Sequence, residues 1–201
     1  MWELLEEAAD ALIADLGMVR VDGVDTELPR MGAAWSVANS VSLIRQLEEH
    51  WPDCADDLTP EIRMAMEHGP GRYGAEARIK LERRRTELNE AMARIFDTTA
   101  GGVDFVITAT NPDVAFAADG PLPDTFGGIA AGAKINGRLT FPANLHGNPA
   151  ISIPAGFLDG LPIGLQVNGP HFSEELLLDM ALTVERNRPW PLTTNGVSAT
   201  L

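Results

Sequence analysis

From residue 139 the chain reads Leu139-Thr140-Phe141-Pro142-Ala143-Asn144-Leu145-His146-Gly147-Asn148-Pro149-Ala150-Ile151-Ser152-Ile153-Pro154-Ala155-Gly156-Phe157. After two more residues it continues as Gly160-Leu161-Pro162-Ile163-Gly164-Leu165-Gln166-Val167-Asn168-Gly169. No other stretch restricts the fold as much. Two runs alternate apolar with small or polar residues, 150–153 and 163–167, which is the two-residue period of a strand with one buried face. Prolines at 142, 149, 154 and 162 fix φ and withhold amide donors at the entrances and exits of those runs. Glycines at 147, 156, 160 and 164 permit tight turns and close backbone approach. Asp159-Gly160 signals a chain reversal, although the connection reads as longer than a two-residue turn. The expectation is a rigid antiparallel hairpin with an ordered lead-in, and with Ile151, Ile153, Leu165 and Val167 buried.

The rest of the chain supplies elements to pack on such a hairpin. Leu5, Ala8, Ala9, Leu12, Ile13 and Leu16 follow the 3.6-residue period, so residues 2–16 read as an amphipathic helix ended by Gly17. Met18–Val21 reads as a short strand. A helix over 33–49 is closed by Trp51-Pro52, and Thr59-Pro60-Glu61 opens another. The glycine-rich run 69–74 is a break. A long helix over 75–96 follows, with Leu81, Leu88, Met92, Ile95 and Phe96 on one stripe and Glu76/Lys80 and Glu90/Arg94 at i,i+4. Residues 103–108 form an apolar strand, and 111–137, rich in Gly, Pro, Asp and Ala, a long ordered loop. Ser173 caps a last helix to about 186, stopped by Pro189 and Pro191. Residues 192–201 read as a loose tail after a domain over 1–191. This mixture predicts an α/β layered fold. Its four visible strands are apolar enough to be central in a sheet larger than they can make.

Composition removes several function classes. Fifteen Lys+Arg stand against 29 Asp+Glu, a net charge of −14 over 201 residues. That field repels nucleic acid and anionic lipid. Arg83-Arg84-Arg85, flanked by Glu82 and Glu87, reads as a solvated helical face. No apolar run reaches the length of about 18 residues that a membrane span needs. The acidic start after Met1 lacks the basic region of a signal peptide. A lone cysteine, Cys54, has no internal disulfide partner, which sets a cytoplasmic expectation.

Familiar catalytic patterns fail. Gly196-Val197-Ser198-Ala199-Thr200 lacks the last glycine of a nucleophile elbow. Gly69–Gly74 has no following Lys-Ser/Thr for a phosphate loop. His50 and Cys54 have no second ligand pair at zinc-finger spacing. His68, His146 and His171 stand isolated in sequence, and Asp53, Asp56 and Asp57 lack calcium-loop spacing. No metal or cofactor is expected.

The 139–169 stretch resembles the C-terminal signature of the amidase-signature family, a T-x-P-x-N-L-x-G-x-P-A-I-S-x-P-x-G run followed by G-L-P-x-G-L-Q. Downstream, Phe172, Glu174, Leu177 and Leu178 resemble that family's closing helix, and Arg188-Pro189-Trp190-Pro191 a common ending. Upstream, Asp104-Phe105-Val106-Ile107-Thr108-Ala109-Thr110 is similar to its D-x-L-L-T-P-T strand, with Ala109 in place of proline. The resemblance implies the C-terminal part of the family's mixed-sheet fold with flanking helices.

The same resemblance implies hydrolysis of carbon–nitrogen amide bonds by a serine nucleophile, a second serine on a cis peptide and a neutral lysine. In the family these precede the region seen here. Lys80 and Lys134 are the only lysines; the serines are 36, 40, 42, 152, 173 and 198, and none lies in a G-G-S-S-G-G-like run. No catalytic role is assigned to any residue, and the chain by itself is expected to be inactive. What the resemblance carries over is pocket lining, by the lead-in and the 111–137 loop, with Thr110, Asn136, Gly137 and Arg138 the residues singled out. In the homologous chains of tRNA-dependent amidotransferases the position of Gly137 is commonly acidic, so glycine there points to a general amidase. The expected partner is the missing N-terminal half of the fold, or a second copy; a small amide is the substrate only of the complete enzyme. Two other readings stay open: a non-catalytic binding or assembly module derived from this fold, and an enzyme with a new site built from its own histidines and acids.

Overall fold

The computed structural model describes residues 1–31, 34–72, 74–132 and 135–191. The expected tail at 192–201 lies outside the described residues, as does Lys134. The chain divides into two compact units, Met1–Asp25 with Ile95–Leu201, and Thr26–Arg94.

The first unit is built on the hairpin. β4 (Ala150–Leu158) and β5 (Leu161–Asn168) pair antiparallel, and β1 (Val106–Ala109) pairs antiparallel with the other edge of β5, giving the order β1-β5-β4. The reversal between β4 and β5 is a two-residue turn after all. Asp159 and Gly160 both take positive φ, 52° and 79°, the backbone of a type I′ turn. The strands run beyond the alternating cores because a bulge between Pro154 and Gly156 restores the register, so that Phe157 faces Pro162 and Leu158 faces Leu161.

Register then sorts the side chains. Ile107, Ile151 and Val167 stand opposite one another, as do Ala109, Ile153 and Leu165. This is the apolar face, and two helices cover it. α1 (Trp2–Leu16) contributes Leu5, Ala9 and Leu12, and α6 (Glu174–Asn187) contributes Leu177, Met180 and Val184. Ile153, Leu165 and Val167 are buried as expected, Val167 completely; Ile151 is only half-buried. Gly17 ends α1 in the left-handed conformation at φ 62°, with Gly17 N–H donating to Ala14 O and Met18 N–H to Ile13 O, a Schellman closure. An ion pair of 2.7 Å from Arg188 to Asp15 ties the end of α6 to α1.

Several expectations need correction. Met18–Val21 is not a strand: no ladder pairs it, and Val19 and Val21 are exposed. Apolar alternation marks a side chain's preference, but a strand needs a partner. The loop 111–137 holds a small hairpin, β2 (Thr125–Phe126) with β3 (Ile129–Ala130), turned by Gly127 and Gly128 at positive φ. Residues Phe141–His146 of the lead-in form a short helix, α5. Ser173 precedes α6 without capping it by its hydroxyl, which donates to Pro170 O at 2.7 Å instead.

The second unit contains α2 (Ala34–Leu47), α3 (Pro60–Arg72) and most of α4 (Ala75–Ile95). α3 runs past the start of the anticipated break, to Arg72. Leu81, Leu88 and Met92 are buried along one face of α4, whereas Arg83 and Arg84 are exposed and Arg85 is half-buried. The Glu76–Lys80 pair forms at 2.8 Å, whereas Glu90 and Arg94 do not close. An exposed pair gains little over water, so side-chain entropy decides such cases.

Ile153 tests the hairpin core. Ile153→Ala should cost about 2–5 kcal/mol by urea unfolding, with an unchanged m-value. A cost below about 1 kcal/mol would mean that β4 does not carry the core.

Candidate functional site

The face of the sheet opposite the helices is polar. Thr108 stands opposite Gln166, which stands opposite Ser152; Asn168 stands opposite Val106 and Ala150. Gln166 and Asn168 are nonetheless buried. Burial of an amide is tolerated only with partners, and Gln166 has two. Its Nε2 donates to Thr108 Oγ1 at 3.2 Å and to Leu139 O at 3.0 Å. The glutamine therefore fastens the 135–147 lead-in across the sheet. Asn168 Nδ2 donates to Val106 O at 3.4 Å.

At the end of this row the hydroxyls of Thr110 and Ser152 lie 2.6 Å apart, bonded to each other over Gly164. A Cβ at 164 would come within 2.6 Å of Ser152 Oγ and 2.7 Å of Thr110 Oγ1. The glycine is thus required by close approach rather than by a turn.

Beside Gly164 opens a cleft of ≈ 500 Å³, within the usual range for a small-molecule site. Asn111, Asp113, Phe116, Phe126 and Asn136 supply its chemistry, and Met1, Leu5 and Ile163 close its apolar side. Asp113 shapes the rim: Oδ1 accepts from Val114 N–H and Oδ2 from Gly127 N–H, both at 2.9 Å. Asn136 Nδ2 donates to Pro123 O at 3.0 Å, joining the lead-in to the same rim.

Of the four residues singled out from sequence, Asn136 lines this cleft. Thr110 stands at its margin, with its hydroxyl committed to Ser152. Gly137 and Arg138 do not line it. Gly137 packs against Phe141 so closely that a Cβ would overlap that ring. Asn111, Asp113, Phe116 and Phe126 all come from the 111–137 loop expected to contribute to the pocket, although sequence reading does not single them out individually. The signal is position, since loops that follow a strand's end commonly carry binding groups.

His146 and His171, isolated in sequence, meet in the fold: their Nε2 atoms lie 3.3 Å apart and their ring centroids 4.8 Å. Burial, and secondarily the nearby His171, hold the His146 imidazole below its ordinary pKa. Among the described residues no group of three or more His, Cys, Asp or Glu converges, and no helix is long and apolar enough to cross a membrane.

The hydroxyl pair can be tested by a double-mutant cycle. Gly164→Ala should destabilise by roughly 1–3 kcal/mol, through forced displacement of Thr110 or Ser152. In a Ser152→Ala background the same change should cost measurably less. Equal costs in both backgrounds would show that the two hydroxyls do not set the constraint.

Comparison with known proteins places these features. The amidase family model matches residues 8–178. The A chain of the glutamyl-tRNA(Gln) amidotransferase of Listeria monocytogenes serotype 4a (strain HCC23) is 37% identical over 107 residues, 53% of this chain and 20% of that protein. Its counterpart of the same name from Streptococcus pyogenes serotype M5 (strain Manfredo) is 41% identical over 90 residues, 45% of this chain and 17% of that protein. A solved bacterial aryl acylamidase of the amidase-signature enzymes superposes with a TM-score of 0.75 at 22% identity, over 94% of this chain and 40% of that one. The chain thus spans about a fifth of the curated relatives' length and two-fifths of the solved enzyme's. With its hairpin, closing helix and lead-in in that common arrangement, the chain belongs to the amidase family.

Proposed function

We propose that this chain is the C-terminal portion of an amidase that hydrolyses carbon–nitrogen amide bonds, with the serine nucleophile, relay serine and lysine supplied by residues outside it. One observation carries this reading. The cleft offers an amide-sized concave surface with Asn111 and Asn136 on it, yet no described serine beside it is free to act as a nucleophile. Ser152 is bonded to Thr110 and Ser173 to Pro170 O. Lys80, the described lysine, is exposed and held by Glu76. Covalent amide hydrolysis needs a hydroxyl next to a base. Here the residues support a binding wall, and the cleft forms part of the substrate pocket of the complete enzyme.

The complete enzyme reads as a general amidase. Gly137 occupies the position that is commonly acidic in the homologous amidotransferase chains. Phe141 fills the space which that side chain would need, so an acid there requires Phe141 to move. The substrate pocket would then hold a small amide with no carboxylate at this point for its amino group.

Two outcomes are expected. The purified chain should show no hydrolysis of simple aliphatic or aryl amides above background, because loss of a whole serine-based unit removes on the order of a million-fold in rate. Turnover that survives repurification and disappears on substitution within this chain would sink the proposal. The chain alone should also form soluble oligomers or melt broadly. Supplying an N-terminal amidase portion in trans should then sharpen and raise the melt, since a partner that binds only the folded form stabilises it. A sharp monomeric melt with no shift on addition, read by light scattering and calorimetry, would favour an independent module.

A further inference from the structure

The chain's two closing loops meet at a pair of histidines that the amidase reading does not use. His146 is the last residue of α5, and Gly147 ends that helix at φ 92° with its N–H on Ala143 O at 2.7 Å. His171 follows Pro170 in the turn before α6. The loops are sewn together just behind the rings. Asn148 Nδ2 donates to Gly169 O at 2.7 Å, and Gly169 N–H to Pro149 O at 3.1 Å. The turn carrying His171 is closed by Ser173, whose hydroxyl donates to Pro170 O at 2.7 Å. Both imidazoles therefore project from backbone that is fixed independently of them.

Their geometry is that of a chelate. The Nε2 atoms converge to 3.3 Å. Two nitrogens bound to one tetrahedral ion at about 2.0–2.1 Å must lie roughly 3.3–3.4 Å apart, the edge of the tetrahedron. We propose that His146 and His171 form a two-histidine site for Zn²⁺, bound through Nε2 of both rings. Neutral imidazole favours Zn²⁺ over Mg²⁺ and Ca²⁺, which require oxygen ligands. No third side chain converges among the described residues, so water or an exogenous donor completes the coordination. His171 is exposed, which leaves those positions open to solvent. The bound ion would clip α5 to the lead-in of α6.

The same separation also permits a simple hydrogen bond between one protonated and one unprotonated Nε2, and the experiment must distinguish the two. The full chain is titrated with Zn²⁺ against a chromophoric chelator, while nitrogen-15 spectra follow the histidine imidazoles. The expected result is a dissociation constant on the order of 10 µM. The His146 and His171 Nε2 resonances should move together, and Mg²⁺ at about 1 mM should have no effect. His171→Ala and His146→Ala should each weaken binding by roughly tenfold or more. His171→Ala changes an exposed side chain, so its circular dichroism should match that of the parent and it decides the matter even where His146→Ala fails to fold. Undiminished binding by His171→Ala would place the ion elsewhere, with His50 and Cys54 the next candidates. Unmoved resonances at about 1 mM Zn²⁺ would leave only a hydrogen-bonded pair. Either result overturns the proposal.

Discussion

The antiparallel ladder between β4 and β5 is the interaction on which everything else in the first unit depends. Strand geometry sends alternate residues to opposite faces, so a register that opposes Ile153 to Leu165 also opposes Ser152 to Gln166. One choice of register thereby builds two different surfaces. The apolar surface accepts α1 and α6. The polar surface accepts the lead-in through Gln166 and frames the cleft through Gly164. A slip by one residue would put Gln166 against Leu12 and Leu177 and Leu165 against the Leu139 carbonyl. The I′ turn at Asp159-Gly160 and the bulge at Ala155 hold the register against that slip.

Legibility in the sequence follows from how local each determinant is. The hairpin, α1 with its Gly17 end, and α6 can be read because periodicity, positive-φ glycines and prolines act within a few residues. The turn length is misread because Pro154 and Gly156 interrupt the alternation, and a bulge is visible only once the partner strand is in place. Met18–Val21 looks like a strand on side-chain grounds alone, and no neighbour pairs it. The cleft is half legible. Asn136 lies in the recognisable lead-in, whereas Asn111, Asp113, Phe116 and Phe126 come from a loop with no period. His146 and His171 are 25 residues apart, and nothing in either neighbourhood announces the other.

Asp113 and Gln166 show how the polar face holds its own loops in place. Each is a short- or medium-length acceptor or donor with its partners on backbone: Asp113 on Val114 and Gly127 N–H, Gln166 in part on the Leu139 carbonyl. Such bonds fix loops rather than activate atoms. The Thr110–Ser152 bond does the same between hydroxyls. A face committed to holding its own loops has little left to polarise a substrate, which is why the reading here is a wall of a pocket and not a reaction centre.

The edges of the sheet point the same way. In the order β1-β5-β4, the outer sides of β1 and β4 have no strand beside them among the described residues. Open edges invite pairing, and proteins that leave them open usually blunt them with charge or proline. β1, Val106-Ile107-Thr108-Ala109, carries neither. Trp2, Phe172, Leu178 and Leu182 add exposed apolar surface to the helical layer. An acidic chain of net charge −14 resists collapse onto itself; β4 carries Pro154 and a bulge on its edge, but the β1 edge and those side chains remain available to a complementary surface. The matched acylamidase is two and a half times as long as the part that this chain covers. Unpaired edges of this kind are what the proposal that the chain is one portion of an amidase requires.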